Sequence, residues 1–226
     1  MEGEHSNTIE NPNQCATILC VQYLLTNHMK SKHPIKRDDL MKTVFKGRVT
    51  GRNFENVMND VDNTLKNVFG FSILFLNNEK KKLFKQFIIV NTIEEFKIPG
   101  ICYSFSQLSK YRILLKPILG ALIMLRMPIS EGQMWNILEQ FSIKLNLDMD
   151  YIKTMVKGHF VKEQYLECKE TDDTTIRFDP ERTSYWFTMG PRALEECDQL
   201  MVLKKIAKLY NMPAQSFKRV YAELNK

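Results

Sequence analysis

Two strand-like runs on either side of a polar stretch constrain this chain most. One starts at Phe160 (Phe-Val-Lys-Glu-Gln-Tyr-Leu-Glu-Cys-Lys-Glu) and the other at Tyr185 (Tyr-Trp-Phe-Thr-Met-Gly-Pro-Arg-Ala), with Thr171–Pro180 between them. Aromatic and β-branched residues around a long polar turn predict a β-hairpin. A short amphipathic helix is expected before it and a long helix after Gly190-Pro191. Helix, strand, loop, strand is the order of a winged helix, with the loop as wing.

The first half of the chain repeats that order without repeating the sequence. From Gln14, helical spacing sets Ile18, Val21, Gln22, Leu25 and Met29 along one side, widened by Leu19, Tyr23 and Leu24. Pro34 stops this helix near Lys32. A second helix spans Arg37 to Phe45, and a third follows Asn53 as N-cap and closes at Gly70. Strands are expected at Phe71–Leu76 and Leu83–Val90, joined by a loop bearing Lys80, Lys81 and Lys82. The expected organisation is a disordered leader over 1–13, a winged-helix domain over 14–92, a linker over 93–110 and a second winged-helix domain over 111–226. The fold class is mainly α with small β-hairpins, an α+β chain of tandem winged-helix domains.

The second domain opens with an apolar run, Ile113–Met127, whose helix is apolar on nearly every side. It is shorter than the ~20 residues of a membrane span, so burial between the two domains is expected. Ser130 and Gln133 have capping-box spacing ahead of the next helix. Asp148 caps a third, whose apolar face is Ile152, Met155, Val156 and His159. After Pro191, one long helix should carry Glu195, Glu196 and Asp198 near its start and Lys204, Lys205 and Lys208 near its end. A short helix over Ala214–Leu224 closes the chain.

Charge and cysteine usage narrow the function. The net charge is +6, with 14 basic against 11 acidic residues before Ile98 and 18 against 15 from there on, so neither half is a concentrated basic tail. A modest basic surplus fits either an acidic partner or an ordinary solvated surface. Five scattered cysteines with no Cys-x-x-Cys pair fit reduced thiols rather than a disulfide framework or zinc site. The polar start is unlike a signal peptide, so a soluble, intracellular protein is expected. No phosphate loop, Gly-x-Gly-x-x-Gly or nucleophile–base pair is recognisable, so no catalytic residue, cofactor or metal is assigned.

Several stretches resemble the melanoma-antigen (MAGE) homology domain family. Val161-Lys162-Glu163-Gln164-Tyr165-Leu166-Glu167-Cys168 is similar to that family's Val-Lys-Gln-Lys-Tyr-Leu-Glu-Tyr. Phe187-Thr188-Met189-Gly190-Pro191-Arg192-Ala193 is similar to its Phe-Leu-Trp-Gly-Pro-Arg-Ala, with Met189 at the usual tryptophan. Val21-Gln22-Tyr23-Leu24-Leu25, the segment from Pro34 to Met41, and Val68-Phe69-Gly70-Phe71 continue the likeness in order. The resemblance implies paired winged helices that bind RING-type ubiquitin ligases without catalysis. Its ancestral-type member is a subunit of the structural-maintenance-of-chromosomes 5/6 complex, beside a RING-finger subunit and a kleisin, with DNA contact. Little sequence lies outside the paired domains, which fits that minimal subunit. The implied setting is DNA repair and chromosome maintenance in the nucleus on chromatin, with the cytoplasm as a further location and no membrane.

Particular residues follow from these readings. The resemblance assigns Leu24 and Leu25 to the RING partner; simple burial in their own domain is the plainer alternative. Phe160, Tyr165, Tyr185, Trp186 and Phe187 are candidates for the kleisin groove, since strand alternation sends Trp186 to the face opposite Tyr185 and Phe187. Lys153, Lys157 and Lys162 on or beside the third helix, with Lys80, Lys81 and Lys82 on the first wing, are candidates for sequence-independent contact with double-stranded DNA. A stand-alone winged-helix transcription regulator, or a ubiquitin-ligase adaptor outside the chromosomal complex, are the competing functions.

Overall fold

The apolar periodicities become helices around two small sheets in the computed structural model, which describes residues 12–76, 85–93, 112–170 and 185–225. Contacts divide the chain into two compact units, Met1–Val90 and Asn91–Lys226. The expected first wing with Lys80, Lys81 and Lys82, most of the linker, the second wing and residues 1–11 lie outside the described residues.

In the first unit, α1 (Pro12–Lys30) takes in the last two residues of the expected leader. Next come β1 (Ile35–Lys36), α2 (Arg37–Asp39) widening into a π-helical turn at Leu40–Phe45, and α3 (Phe54–Thr64) widening likewise at Leu65–Phe69. Strands β2 (Phe71–Leu76) and β3 (Gln86–Asn91) complete a sheet of order β1-β3-β2. Gly70 takes the left-handed conformation, φ 67°, that ends α3. Asn53, expected to cap α3, makes no side-chain capping bond. The Asp62 carboxylate instead fastens α3 to the sheet, accepting from the Ile73 amide at 2.7 Å and the Ser72 hydroxyl at 3.0 Å. Cys20, Leu24, Leu40, Phe45, Val61 and Phe87 lie in the core.

The second unit begins with α4 (Leu115–Leu125), β4 (Ile129–Ser130), α5 (Glu131–Leu145) and α6 (Met149–Thr154), whose axis continues through Met155–Phe160. Then follow β5 (Leu166–Glu170), β6 (Tyr185–Met189), α7 (Pro191–Glu196), α8 (Gln199–Leu209), a 3₁₀ turn at Ala214–Ser216 and α9 (Lys218–Leu224). The antiparallel sheet has order β4-β6-β5, with Ile129 opposite Phe187 and Cys168 opposite Phe187 across the other edge. Each unit thus sets its third strand between the other two, the winged-helix arrangement. The chain is mainly helical with two small sheets. Ser130 and Gln133 form the full capping box, and Asp148 accepts from the amides of Asp150 and Tyr151.

Three expectations give way here. First, residues 160–165 are not strand: the helix runs on through Lys162, and Gln164 turns the chain at φ 66°. Second, the long helix after Pro191 is two. Cys197 is extended (φ −106°, ψ 110°), and Asp198 starts α8 by accepting from the Met201 amide at 2.9 Å. Third, α4 finds its cover within its own unit. Leu115, Ile118, Leu119 and Leu122 join the winged-helix core with Phe160 and Phe187. Ile123 joins a separate core with Leu203, Ala207 and Val220 from the C-terminal helices, so cores on two sides account for its all-round apolarity.

Candidate interaction surfaces

The Gly-Pro-Arg-Ala stretch is a buried joint between β6 and the turn after α6. Gly190 donates to the Tyr165 carbonyl at 2.9 Å, and a β-carbon on Gly190 would collide with the Gln164 carbonyl, standing 2.8 Å from its carbon and 3.0 Å from the Leu166 nitrogen. Close approach, not an unusual φ, requires the glycine. Pro191 fills the first helical position of α7, and Ala193 is fully buried. Arg192 is 1% exposed: its Nε donates to the Glu163 carbonyl at 2.7 Å and its Nη1 to Glu196 Oε1 at 3.2 Å. The Tyr165 hydroxyl donates to the other Glu196 oxygen at 2.7 Å. Glu163 itself receives a two-pronged pair from Arg112 at 2.6 and 2.8 Å. These buried charges are matched with one another, which makes them architectural.

On the first unit, α1 separates its two adjacent leucines. Leu24 is sealed in the core, whereas Leu25 is only partly covered. Ile18 and Met29 are 52% and 68% exposed. At 3.6 residues per turn, Ile18, Leu25 and Met29 fall within roughly 40° of one another. They line an outward apolar stripe.

The five aromatics proposed for one groove do not share a surface. Phe160, Tyr165 and Phe187 are core residues, Tyr185 is half-buried, and Trp186 is exposed. Phe160 and Tyr165 face inward because they belong to the helix end and the turn. Phe187 meets Trp135 edge-on at 6.2 Å between ring centres. Only Trp186 stands on the outer face of the sheet, across from Ser130 and Lys169.

Lys153, Lys157 and Lys162 are all exposed and differ in what they touch. Lys162 is exposed, and Lys153 makes a 3.6 Å contact with Asp150, an exposed partner. Lys157 is exposed too but already has partners. Its ammonium pairs with Glu131 at 2.6 Å and lies 4.6 Å from the Tyr185 ring centre and 5.8 Å from that of Trp135. Trp135 Nε1 also donates to that carboxylate at 3.1 Å. Helical spacing places Lys157 opposite the apolar face, and it stays exposed there while its ammonium reaches side chains of α5 and β6.

A surface absent from the sequence reading is a cleft among α4, α5 and α8, with residues such as Gly120, Ile137, Phe141 and Ile206 along it. Among the described residues no cluster of metal-ligating side chains occurs, and no helix is long and apolar enough to cross a membrane. Burial pushes the thiols of Cys20 and Cys197 up to about 12 and about 11.

Comparison with known proteins accords with this architecture. The MAGE homology domain matches residues 20–200. The human "Non-structural maintenance of chromosomes element 3 homolog" is 28% identical over 210 residues, spanning 90% of this chain and 63% of that protein. Its mouse counterpart is 28% identical over 206 residues, spanning 90% and 69%. Human "MAGE-like protein 2" is 25% identical over 210 residues but is covered to only 15%. A chain of a solved "Nse1-Nse3-Nse4 complex" shares the fold at TM-score 0.73 and 24% identity, with 95% of this chain and 98% of that one covered.

Proposed function

Because this chain belongs to the MAGE homology domain family, which matches residues 20–200, we propose that it is a non-catalytic adaptor subunit of a chromosomal 5/6 complex. The observation that carries this reading is the likeness, over 90% of the chain, to proteins named as element 3 of a non-structural maintenance of chromosomes assembly. In that role it binds a RING-type ubiquitin ligase subunit, alters how that ligase acts, and binds a kleisin. It works in the nucleus, in DNA repair and chromosome maintenance.

The RING partner docks on the stripe of α1, where Leu25 makes contact and Leu24, buried beneath, holds the helix in place. The kleisin uses the outer sheet face of the second unit around Trp186 and the edge of Tyr185. Lys153 and Lys162 contact DNA phosphates without reading bases. Support for each lies in exposure: Ile18, Met29 and Trp186 are large apolar side chains open to solvent.

Co-purification from cells tests the reading. Recovery of a RING-finger subunit and a kleisin with the tagged chain is expected. Recovery of transcription machinery alone, dependent on DNA, would replace it with the stand-alone regulator.

A further inference from the structure

The turn between α2 and α3 concentrates the positive charge of the chain. Residues 36–53 hold Lys36, Arg37, Lys42, Lys46, Arg48 and Arg52 against Asp38 and Asp39, so +4 of the net +6 falls within them. Lys46, Arg48 and Arg52 are exposed, and among the described residues none of them makes an ion pair. Lys153 and Lys157, by contrast, already have carboxylates beside them. Exposed cations without an internal carboxylate keep their whole field for a ligand.

The turn presents these cations from a fixed frame. Val49, 2% exposed, plugs its middle into the core. The Arg48 amide donates to the Phe45 carbonyl at 2.8 Å, and the amides of Asn53 and Phe54 donate to the Thr50 carbonyl at 3.1 and 3.0 Å. A β-carbon at Gly47 would meet nothing within 4 Å, and one at Gly51 only the Arg37 guanidinium, 3.9 Å away. Arg37 is itself held over the Phe54 ring, 4.3 Å from its centre. Asn53, whose side chain makes no capping bond, adds an amide donor. The backbone is therefore bare at both glycines, with cations on and beside it.

Its borders decide what fits. Exposed carboxylates stand on both sides of the turn in the chain, Asp38 and Asp39 before it and Glu55 after it. A nucleic-acid duplex carries its charge continuously and would run from the cations onto these carboxylates. A single phosphate monoester would not. It carries about −1.5 to −2 charge at neutral pH, more than a carboxylate, and an arginine fork meets two of its oxygens at once. We propose that this turn docks a phosphorylated segment of a partner protein. Arg48 and Arg52 hold the phosphate of one phosphoserine or phosphothreonine, Lys46 and Arg37 add charge beside it, and Gly47 and Gly51 admit the segment's backbone at close range. Phosphorylation of the partner switches the contact on. The surface uses none of the residues assigned above to the RING subunit, the kleisin or DNA.

The test titrates the isotope-labelled full chain with a short alanine–glycine peptide carrying one phosphoserine, followed in proton–nitrogen correlation spectra. Saturable shifts are expected at the amides of Gly47, Arg48, Gly51 and Arg52. The same peptide with serine or glutamate in place of phosphoserine should bind about tenfold or more weakly. Arg48→Gln/Arg52→Gln should weaken the phosphoserine peptide roughly tenfold or more. Both positions are exposed, and an unchanged spectrum away from the turn verifies that the variant is folded. Absence of saturable shifts at the turn overturns the proposal, as does equal affinity for the serine and phosphoserine peptides. Tighter binding of a short DNA duplex at the same amides, lost in the double variant, would make the turn a DNA contact and also overturn the assignment to a phosphorylated protein.

Discussion

Arg192 Nε donates to the main-chain oxygen of Glu163 at 2.7 Å, so a side chain at the start of α7 fixes the turn that leads into β5. Its other bond neutralises Glu196, a carboxylate 6% exposed. Removing one partner of a buried pair costs about 3–5 kcal/mol, because the other charge is left in a poor solvent. Arg192→Met should therefore destabilise the second unit by about that amount, and adding Glu196→Gln should restore part of it. Both tryptophans, Trp135 and Trp186, lie in this unit, so fluorescence during urea unfolding reads it selectively. An unchanged midpoint for Arg192→Met would show that the guanidinium is not holding the joint.

Gly190→Ala tests the same joint sterically. The added methyl would overlap the Gln164 carbonyl, a piece of backbone that cannot rotate aside. Overpacking of this kind costs about 1–3 kcal/mol or more. Gly132→Ala is the control, since a β-carbon at Gly132 meets nothing within 4 Å. Comparable losses from the two variants would refute the steric reading.

The two leucines of α1 should separate stability from binding. Leu24→Ala removes a fully buried side chain, at a cost of about 2–5 kcal/mol. Leu25→Ala should cost much less stability while weakening the RING subunit in a direct binding titration. If Leu25→Ala leaves that titration unchanged in a folded protein, the stripe on α1 is not the docking surface.

DNA binding should depend on two of the three α6-side lysines. Each phosphate contact contributes roughly −0.9 to the slope of log affinity against log salt on duplex DNA. Lys153→Glu/Lys162→Glu should therefore flatten the slope by about 2. Lys157→Glu should act through folding, because it sets two carboxylates together beside Tyr185 and removes the 2.6 Å pair with Glu131. Its signature would be a lower unfolding midpoint; a flattened salt slope with the midpoint intact would return Lys157 to the DNA surface.

Alkaline pH should weaken both units. Burial, the main cause in each case, holds the Cys20 thiol at about 12 and the Cys197 thiol at about 11, against an ordinary 9.0; the charge of Asp198 adds to the second. A thiol that ionises more easily when unfolded favours the folded state fully below pH 9 and loses that advantage as pH rises above it. Stability should fall between pH 9 and 11, and Cys20→Ala should flatten the fall in the first unit. Thiol labelling at pH 8 should reach the partly exposed Cys15 well before Cys20 or Cys197. Rapid labelling of Cys20 in the folded protein would contradict this.

Long, strongly periodic stretches were legible in the sequence, including the Ser130–Gln133 cap, the Asp148 cap and the turn at Gly70. Two-residue strands such as Ile35–Lys36 were not, because so short a piece shows no alternation and exists only through its pairing with β3. The break at Cys197 hid inside continuous helical composition; the one available signal was Asp198, read as a charge near a helix start rather than as a cap. Features that the sequence did not reveal share one cause. The partners of Lys157 and the cleft depend on α5, β6 and α8 arriving from elsewhere in the chain, and local periodicity does not encode which neighbours arrive.

Helix α4 carries a cost that reaches beyond packing. Since Ile123 is covered by Leu203, Ala207 and Val220, a premature stop between α7 and α8 would strip one flank of an otherwise intact winged helix. The truncated product would display greasy core surface on a body still able to fold in part. Cellular quality control removes such species, so nonsense alleles between α7 and α8 should behave as loss of protein rather than as shortened, partly working subunits.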